Sequence, residues 1–240
     1  MSDEHRANEF PDVWFETFLS PENAAPVHRE LKFIQLHFPL AEFTRLLDVP
    51  CGIGRHAGPL AHGGYHVVGI DRSERALEVG RAQYPGVDFR VLDMFDLATL
   101  EETFDGLLCL WHSFGYGTSE QNARLLADMR GVLRPGGRLL IDIYNADAAA
   151  KLPDQERAER AGRTVWTRRS WSGSRLRVEL HYSDTDLRDV HEWELYRPDE
   201  LEEMAGTAGL HVLTRCAWFD PSIPPSADHL RMQFVLERQR

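Results

Sequence analysis

Residues 45–57 read Arg45-Leu46-Leu47-Asp48-Val49-Pro50-Cys51-Gly52-Ile53-Gly54-Arg55-His56-Ala57. A short apolar run ends on an acid, passes through a turn with two glycines and opens a helix. Glycine lets backbone come close to a ligand, and free N–H groups at a helix start favour a carboxylate or phosphate. The spacing Gly52-x-Gly54-x-x-Ala57, with Asp71 about 20 residues on, also fits a dinucleotide fingerprint. On this stretch alone the ligand stays open.

Working outward, further short apolar runs at 65–70, 88–92, 105–111 and 138–143 join 45–49, and each is followed by a turn and a helical pattern. Helices are expected over 55–61, 74–83 and 120–132. Strands alternating with helices imply a parallel sheet covered on both faces. Ahead of them Val27, Leu31, Ile34, Leu36 and Phe38 form a helical stripe that Pro39 interrupts. After Asn145 the stretches 165–169, 176–182 and 190–195 alternate like antiparallel strands. Helical pattern returns over 197–209, with Pro198 suited to the first turn and Gly209 to the stop. Strands at 211–218 and 232–237 close the sheet as a hairpin. The expected fold is α/β, a Rossmann-like, seven-stranded, mostly parallel sheet with helices on both faces and an antiparallel insertion after the fifth strand. One domain is expected, divided into an N-terminal helical cap (1–43), a cofactor-binding core (44–145), a strand-rich lid (146–195) and a C-terminal helix and hairpin (196–240).

Three features favour a ligand with a cation and several donors over a nicotinamide. An acid stands at the tip of each of three successive strands: Asp48, Asp71 and Asp93. An Asp at the second tip suits two ribose hydroxyls, and one at the third suits an adenine amino group. Leu133-Arg134-Pro135-Gly136-Gly137 before the fifth strand and the terminal hairpin are both foreign to the usual dehydrogenase pattern.

The segments LLDVPCGIGRHA, HVVGIDRS, FRVLDMFDL, FDGLLCLWHSFGYG and LRPGGRLLIDIYN, spanning about 45–145, resemble the class I methyltransferases that use S-adenosylmethionine. The rest, with ELYRPDELEEMAGTAGL, is similar to the small-molecule branch that includes glycine and aminosugar N-methyltransferases. The resemblance implies S-adenosylmethionine as cofactor. It places Gly52, Gly54 and Cys51 against the methionine moiety with Asp48 nearby, Asp71 and its neighbour Arg72 at the ribose, Asp93 and Met94 at the adenine, and Leu110 beside the sulfonium. Relatives fold an N-terminal segment over the cofactor, which places Trp14 there, where a ring face suits the sulfonium. Pro50 and Asp71 depart from the commonest pattern, which carries a small residue and Glu.

Transfer to nitrogen or oxygen of a small acceptor is the expected reaction, with an RNA methyltransferase, a non-catalytic cofactor-binding protein and a hydride-transfer enzyme as alternatives. His112 and Tyr116 follow the fourth strand at the carboxyl edge, where open α/β folds place ligands, and are the candidate catalytic groups. Ser113, Tyr144 and Asn145 sit at the same edge. Between 157 and 188, eight arginines face four acids. That island suits either an anionic acceptor, such as a nucleotide-linked sugar, or a solvated strand face.

A net charge of −11 argues against broad adhesion to nucleic acid or anionic membrane. Cys51, Cys109 and Cys216 are too scattered for a disulfide framework, and no HExxH or CxxC spacing suggests a metal. A polar N-terminus (1–8) and the absence of a long apolar run lead to an expected cytoplasmic protein without membrane spans, monomeric or homodimeric.

Overall fold

Leucine doublets set the layering. On β1 (Arg45–Asp48) Leu46 points to one face of a sheet and Leu47 to the other, and Leu108 and Leu107 of β4 (Phe104–Cys109) do the same. Successive side chains on a strand point to opposite faces, so fully apolar strands require cover on both sides. The computed structural model describes residues 7–18 and 24–239, so the polar stretch 1–6 lies outside the described residues. Strands β1, β2 (His66–Asp71), β3 (Asp88–Val91), β4 and β5 (Leu133–Tyr144) run parallel, and β11 (Arg231–Arg238) joins β5 antiparallel. With β10 (Leu210–Ala217) the order is β10-β11-β5-β4-β1-β2-β3. This is the expected Rossmann-like sheet with its closing hairpin.

Helices α2 (Ala24–His37), α3 (Ala57–His62) and α4 (Glu74–Gln83) cover one face through Phe33, Ile34, Phe38, Leu60 and Leu77. Helices α5 (Ser119–Gly131) and α7 (Pro198–Thr207) cover the other with Leu125, Met129 and Leu201. Capping decides several helix starts: Ser73 accepts from Ala76, and Thr118 with Gln121 forms a capping box. Pro198 opens α7 and Gly209 follows it at φ +76°, as its sequence predicts.

Three expectations are corrected. Leu36 is 64% exposed and Phe33 is buried in its place, because position 36 falls off the helical spacing of 27, 31, 34 and 38. The fifth strand starts at Leu133, so Arg134-Pro135-Gly136-Gly137 lies inside it as an irregularity in the pairing with β4. The third helix opens at Ala57, two residues later than expected.

A second sheet, β6 (Gln155–Arg160), β7 (Arg163–Ser172), β8 (Arg175–Tyr182) and β9 (Arg188–Glu194), is antiparallel throughout and follows β5 and the short α6 (Ala146–Ala149). Three of its strands match expectation. The fourth, β6, has the sequence Gln-Glu-Arg-Ala-Glu-Arg, with no apolar alternation to betray it. Helix α1 (Asp12–Phe18) packs Val13, Trp14 and Phe18 against Val165, Leu180 and Tyr182 of this sheet. Among the described residues no helix is long and apolar enough to cross a membrane.

Candidate active site

The carboxyl ends of β1, β2, β4 and β5 face the inner side of the small sheet across a cavity of about 1110 Å³. Single-ligand pockets run to about 300–1,000 Å³, so this space suits two ligands side by side. Its floor holds Asp48, Cys51, Gly52, Asp71, Arg72, Asp93, Met94, Leu110, His112 and Tyr116, and Trp14 joins from α1. Gly54, the twelfth residue singled out, does not line it. Gly54 sits at φ +80°, and a Cβ there would lie 2.5 Å from the Phe89 ring, so this glycine serves packing. Gly52, at φ +53°, has open space where its Cβ would be, which is what close approach of a ligand requires.

The loop after β1 is tied to the tip of β2. Gly52 N donates to Asp71 Oδ2 at 2.8 Å, and Ser73 N donates to Oδ1 at 2.9 Å. Burial pushes the Asp71 carboxyl above its ordinary value despite these two bonds. Asp48 is 1% exposed and its Oδ2 has no hydrogen-bond partner. Burial and the neighbouring Asp71 drive its carboxyl up, opposed by His56 and Arg55, to about 6. For both carboxylates burial outweighs the donors and cations already present, so their ionised forms are under-stabilised. A ligand carrying an ammonium, a sulfonium and ribose hydroxyls supplies both. Asp93 caps a 3-10 helix (Met94–Thr99), accepting from Phe95 N at 3.0 Å, and Met94 is buried beside it.

After β4 the chain turns sharply. Trp111 and His112 have φ of 56° and 62°, a left-handed pair that costs energy for residues with a Cβ and needs support. Asp142 of β5 supplies it: Trp111 N donates to Asp142 Oδ2 and His112 N to Asp142 O, each at 3.0 Å. Asp142 is fully buried, receives Gln233 Nε2 at 2.7 Å and pairs with Arg231, which also reaches Glu30 of α2. Glu30 in turn meets His56, Arg55 and the Trp111 indole, and the Arg55 guanidinium lies 3.7 Å over the Trp111 ring. An acid alone in the apolar run Leu-Leu-Ile-Asp-Ile was the sequence signal for this network, and it went unread.

Burial alone would raise the Glu30 carboxyl, but the His56 hydrogen bond and the charges of His56, Arg231 and Arg55 outweigh it and bring it down to about 2. A carboxyl depressed on folding adds stability above its ordinary value of 4.5 and loses it as pH falls toward 2. The contribution is about 3 kcal/mol. Urea denaturation at pH 6 and pH 3 should show that loss in the native protein and a smaller one in Glu30→Gln. Equal pH dependence in both proteins would refute it.

His112 stacks on Tyr144, with centroids 3.6 Å apart, and its Nδ1 is buried without a partner. Burial, with Asp142 opposing and Arg231 adding, pulls its imidazole down to about 3, so it is neutral at pH 7. Ser113 Oγ donates to Leu110 O at 2.9 Å, and burial raises the Tyr116 phenol, keeping it a hydrogen-bond donor. Asn145 caps α6 and donates to Ser226 O at 2.8 Å, a structural duty away from the cavity.

The N-terminal segment and small sheet complete the walls, through residues the sequence reading missed. Asn8 exchanges bonds with β9: its N donates to Val190 O, its Nδ2 to Glu192 O, and its Oδ1 accepts from Glu192 N. Arg72 donates to Asn8 O at 2.6 Å, so one residue bridges the tip of β2 and the small sheet. Arg175 of β8 donates to Tyr116 O and Gly117 O. The arginine island divides: Arg160, Arg169 and Arg175 line the cavity, whereas Arg157, Arg168 and Arg188 border a separate groove with Trp166.

Residues 46–137 match a family described as "Methyltransferase domain". The putative methyltransferase YqeM of Bacillus subtilis is 26% identical over 232 residues, covering 90% of this chain and 92% of that protein. The dTDP-3-amino-3,4,6-trideoxy-alpha-D-glucopyranose N,N-dimethyltransferase of Streptomyces venezuelae is 29% identical over 71% of this chain and 77% of its own. Among solved structures, an S-adenosylmethionine-dependent methyltransferase from Clostridium acetobutylicum superposes with a TM-score of 0.79 at 14% identity, covering 97% and 99% of the two chains. The chain carries a methyltransferase domain over residues 46–137, set in the fold of S-adenosylmethionine-dependent methyltransferases. The acids at the strand tips and the open glycine at position 52 border one half of the cavity. The other half lies between Tyr144 and the small sheet.

Proposed function

We propose that the chain moves the methyl group of S-adenosylmethionine to a nitrogen or oxygen atom of a small acceptor held under the small sheet, the main part of a lid formed by residues 146–195. One observation carries this: a single cavity joins the three acidic strand tips to the inner face of the lid, so two ligands meet between Leu110 and Tyr144. The small acceptor accords with the substrate named for the Streptomyces venezuelae relative. Asp71 would hold the ribose hydroxyls, Asp93 and Met94 the adenine, and Asp48 with the open backbone at Gly52 the amino-acid end. When bound, the cofactor supplies an electrophilic methyl on sulfur.

The protein's contribution is alignment and exclusion of water, on the order of 7–11 kcal/mol of the barrier. Trp14, Leu110 and Tyr116 wall the transfer site. A neutral His112 is a weak base but a good hydrogen-bond acceptor for an N–H or O–H, so its role is to aim the acceptor's lone pair. An amine would arrive unprotonated and leave as a methylated ammonium, and a hydroxyl would release its proton to solvent as its C–O bond forms and the C–S bond breaks. A net charge of −11 disfavours the contiguous basic surface that an RNA acceptor would want. Arg160 and Arg169 leave room for an anionic group on the acceptor.

Calorimetry should show S-adenosylmethionine binding and no heat with NAD. In His112→Ala the cofactor affinity should hold within about threefold while turnover falls about tenfold, the worth of one hydrogen bond. Unaltered turnover would remove His112 from the acceptor site, and binding of NAD alone would end the reading.

A further inference from the structure

The lid carries buried polar groups without hydrogen-bond partners on two residues that line the cavity. On the inner face, strand register sets Trp171, Leu176 and Trp193 in one row and Arg169, Val178 and His191 in the next. Trp193 and His191 are 8% and 2% exposed, and both line the cavity. The Trp193 indole N–H has no hydrogen-bond partner. Both His191 ring nitrogens also lack one, since Nε2 lies 2.9 Å from Asp189 Oδ2 but off the hydrogen-bond direction. A buried donor left unmade is costly, and adjacent ones on a single strand facing a cavity call for ligand atoms.

The surroundings restrict what those atoms belong to. Rings follow one another along the wall: Phe10 stacks on His191 at 4.9 Å, His191 on Trp193 at 5.7 Å, and Trp193 meets Tyr144 edge-on at 5.8 Å. Between them lie Leu176 and Val178. Of the larger polar side chains here, Glu156 bonds Arg169 at 2.6 Å and Arg175 bonds Glu192 and the Tyr116 and Gly117 carbonyls, which leaves Arg160, exposed on the edge strand, as the charged group facing the acceptor. A sugar would bring several hydroxyls to a wall that offers few partners, and burying them unpaired is unfavourable. A flat unsaturated ring packs on such a wall by offset or edge-on contact and needs only one or two oxygen contacts.

Resting on the methyltransferase reading above, we propose that the acceptor is an aromatic ring bearing oxygen substituents, packed along the Phe10–Trp193–Tyr144 wall with one oxygen accepting the Trp193 indole N–H. Specificity then resides in β9 and departs from that of the aminosugar-modifying relative. Trp193 is a specificity residue that touches the acceptor and leaves the cofactor half alone.

The test begins with S-adenosylhomocysteine, titrated into the full chain by calorimetry, and its failure to bind would overturn the methyltransferase reading and this inference together. With that product bound, 3,4-dihydroxybenzoate and glucosamine 1-phosphate are titrated separately. The expected result is saturable binding of the aromatic probe, weakened about fivefold or more in Trp193→Phe with S-adenosylhomocysteine affinity unchanged. In native protein with labelled tryptophan, the Trp193 indole N–H resonance should also shift on adding the aromatic probe, a readout independent of whether the variant folds. Tighter binding of glucosamine 1-phosphate, or an unmoved indole resonance at saturation, would overturn the inference while leaving the cofactor assignment standing.

Discussion

Asp71→Ala should weaken S-adenosylmethionine binding by at least about 100-fold in a protein that remains folded. A carboxylate accepting two ribose hydroxyls makes two charge-assisted bonds of about 1.5–3 kcal/mol each, and each 1.4 kcal/mol is tenfold in affinity. The same carboxylate anchors Gly52 N and Ser73 N, so its loss also frees the loop that approaches the ligand. Stability should change little. Burial raises this carboxyl, and a carboxyl raised on folding opposes folding once pH exceeds its ordinary value, so the charge removed at neutral pH was not stabilising. Asp71→Asn, which keeps one acceptor oxygen, should fall between the two. Calorimetric titration of a variant with native circular dichroism checks this, and unchanged affinity would withdraw Asp71 from the cofactor site.

The second large effect is on the fold. Asp142→Ala removes the acceptor for the Trp111 and Gln233 N–H groups and leaves Arg231, whose side chain is 16% exposed, with Glu30 as its remaining carboxylate. Breaking a buried ion pair from one side costs about 3–5 kcal/mol, because the surviving charge stays buried. For a domain of this size that lowers the melting temperature by about 6–20 °C. Asp142→Asn keeps an acceptor oxygen for Trp111 N and should lose less. A loss below about 1 kcal/mol in the alanine variant, measured by urea denaturation, would show the network to be dispensable.

How much of this was legible follows from where the signals lie. The parallel strands announce themselves because burial on both faces demands unbroken apolar runs such as Leu139, Leu140 and Ile141. Asp48, Asp71 and Asp93 were visible because each ends such a run. The packing duty of Gly54 was not legible because the group it makes room for, Phe89, is remote in sequence and its ring cannot be placed from spacing. Strand β6 was invisible because it is held by backbone pairing with β7, and Ala158 is its sole apolar side chain. The walls of the acceptor half combine Phe10, Tyr144 and Trp193 from three distant segments, and their alternation patterns carried no hint of which cavity they share.

The bond from Arg231 to Glu30 spans 201 residues. Closing so long a loop is entropically late, since distant contacts reward the chain only after the intervening segments are ordered. The bend that carries Trp111 and His112 therefore gains its full support only when α2 and β11, far apart in the chain, have both been placed beside it.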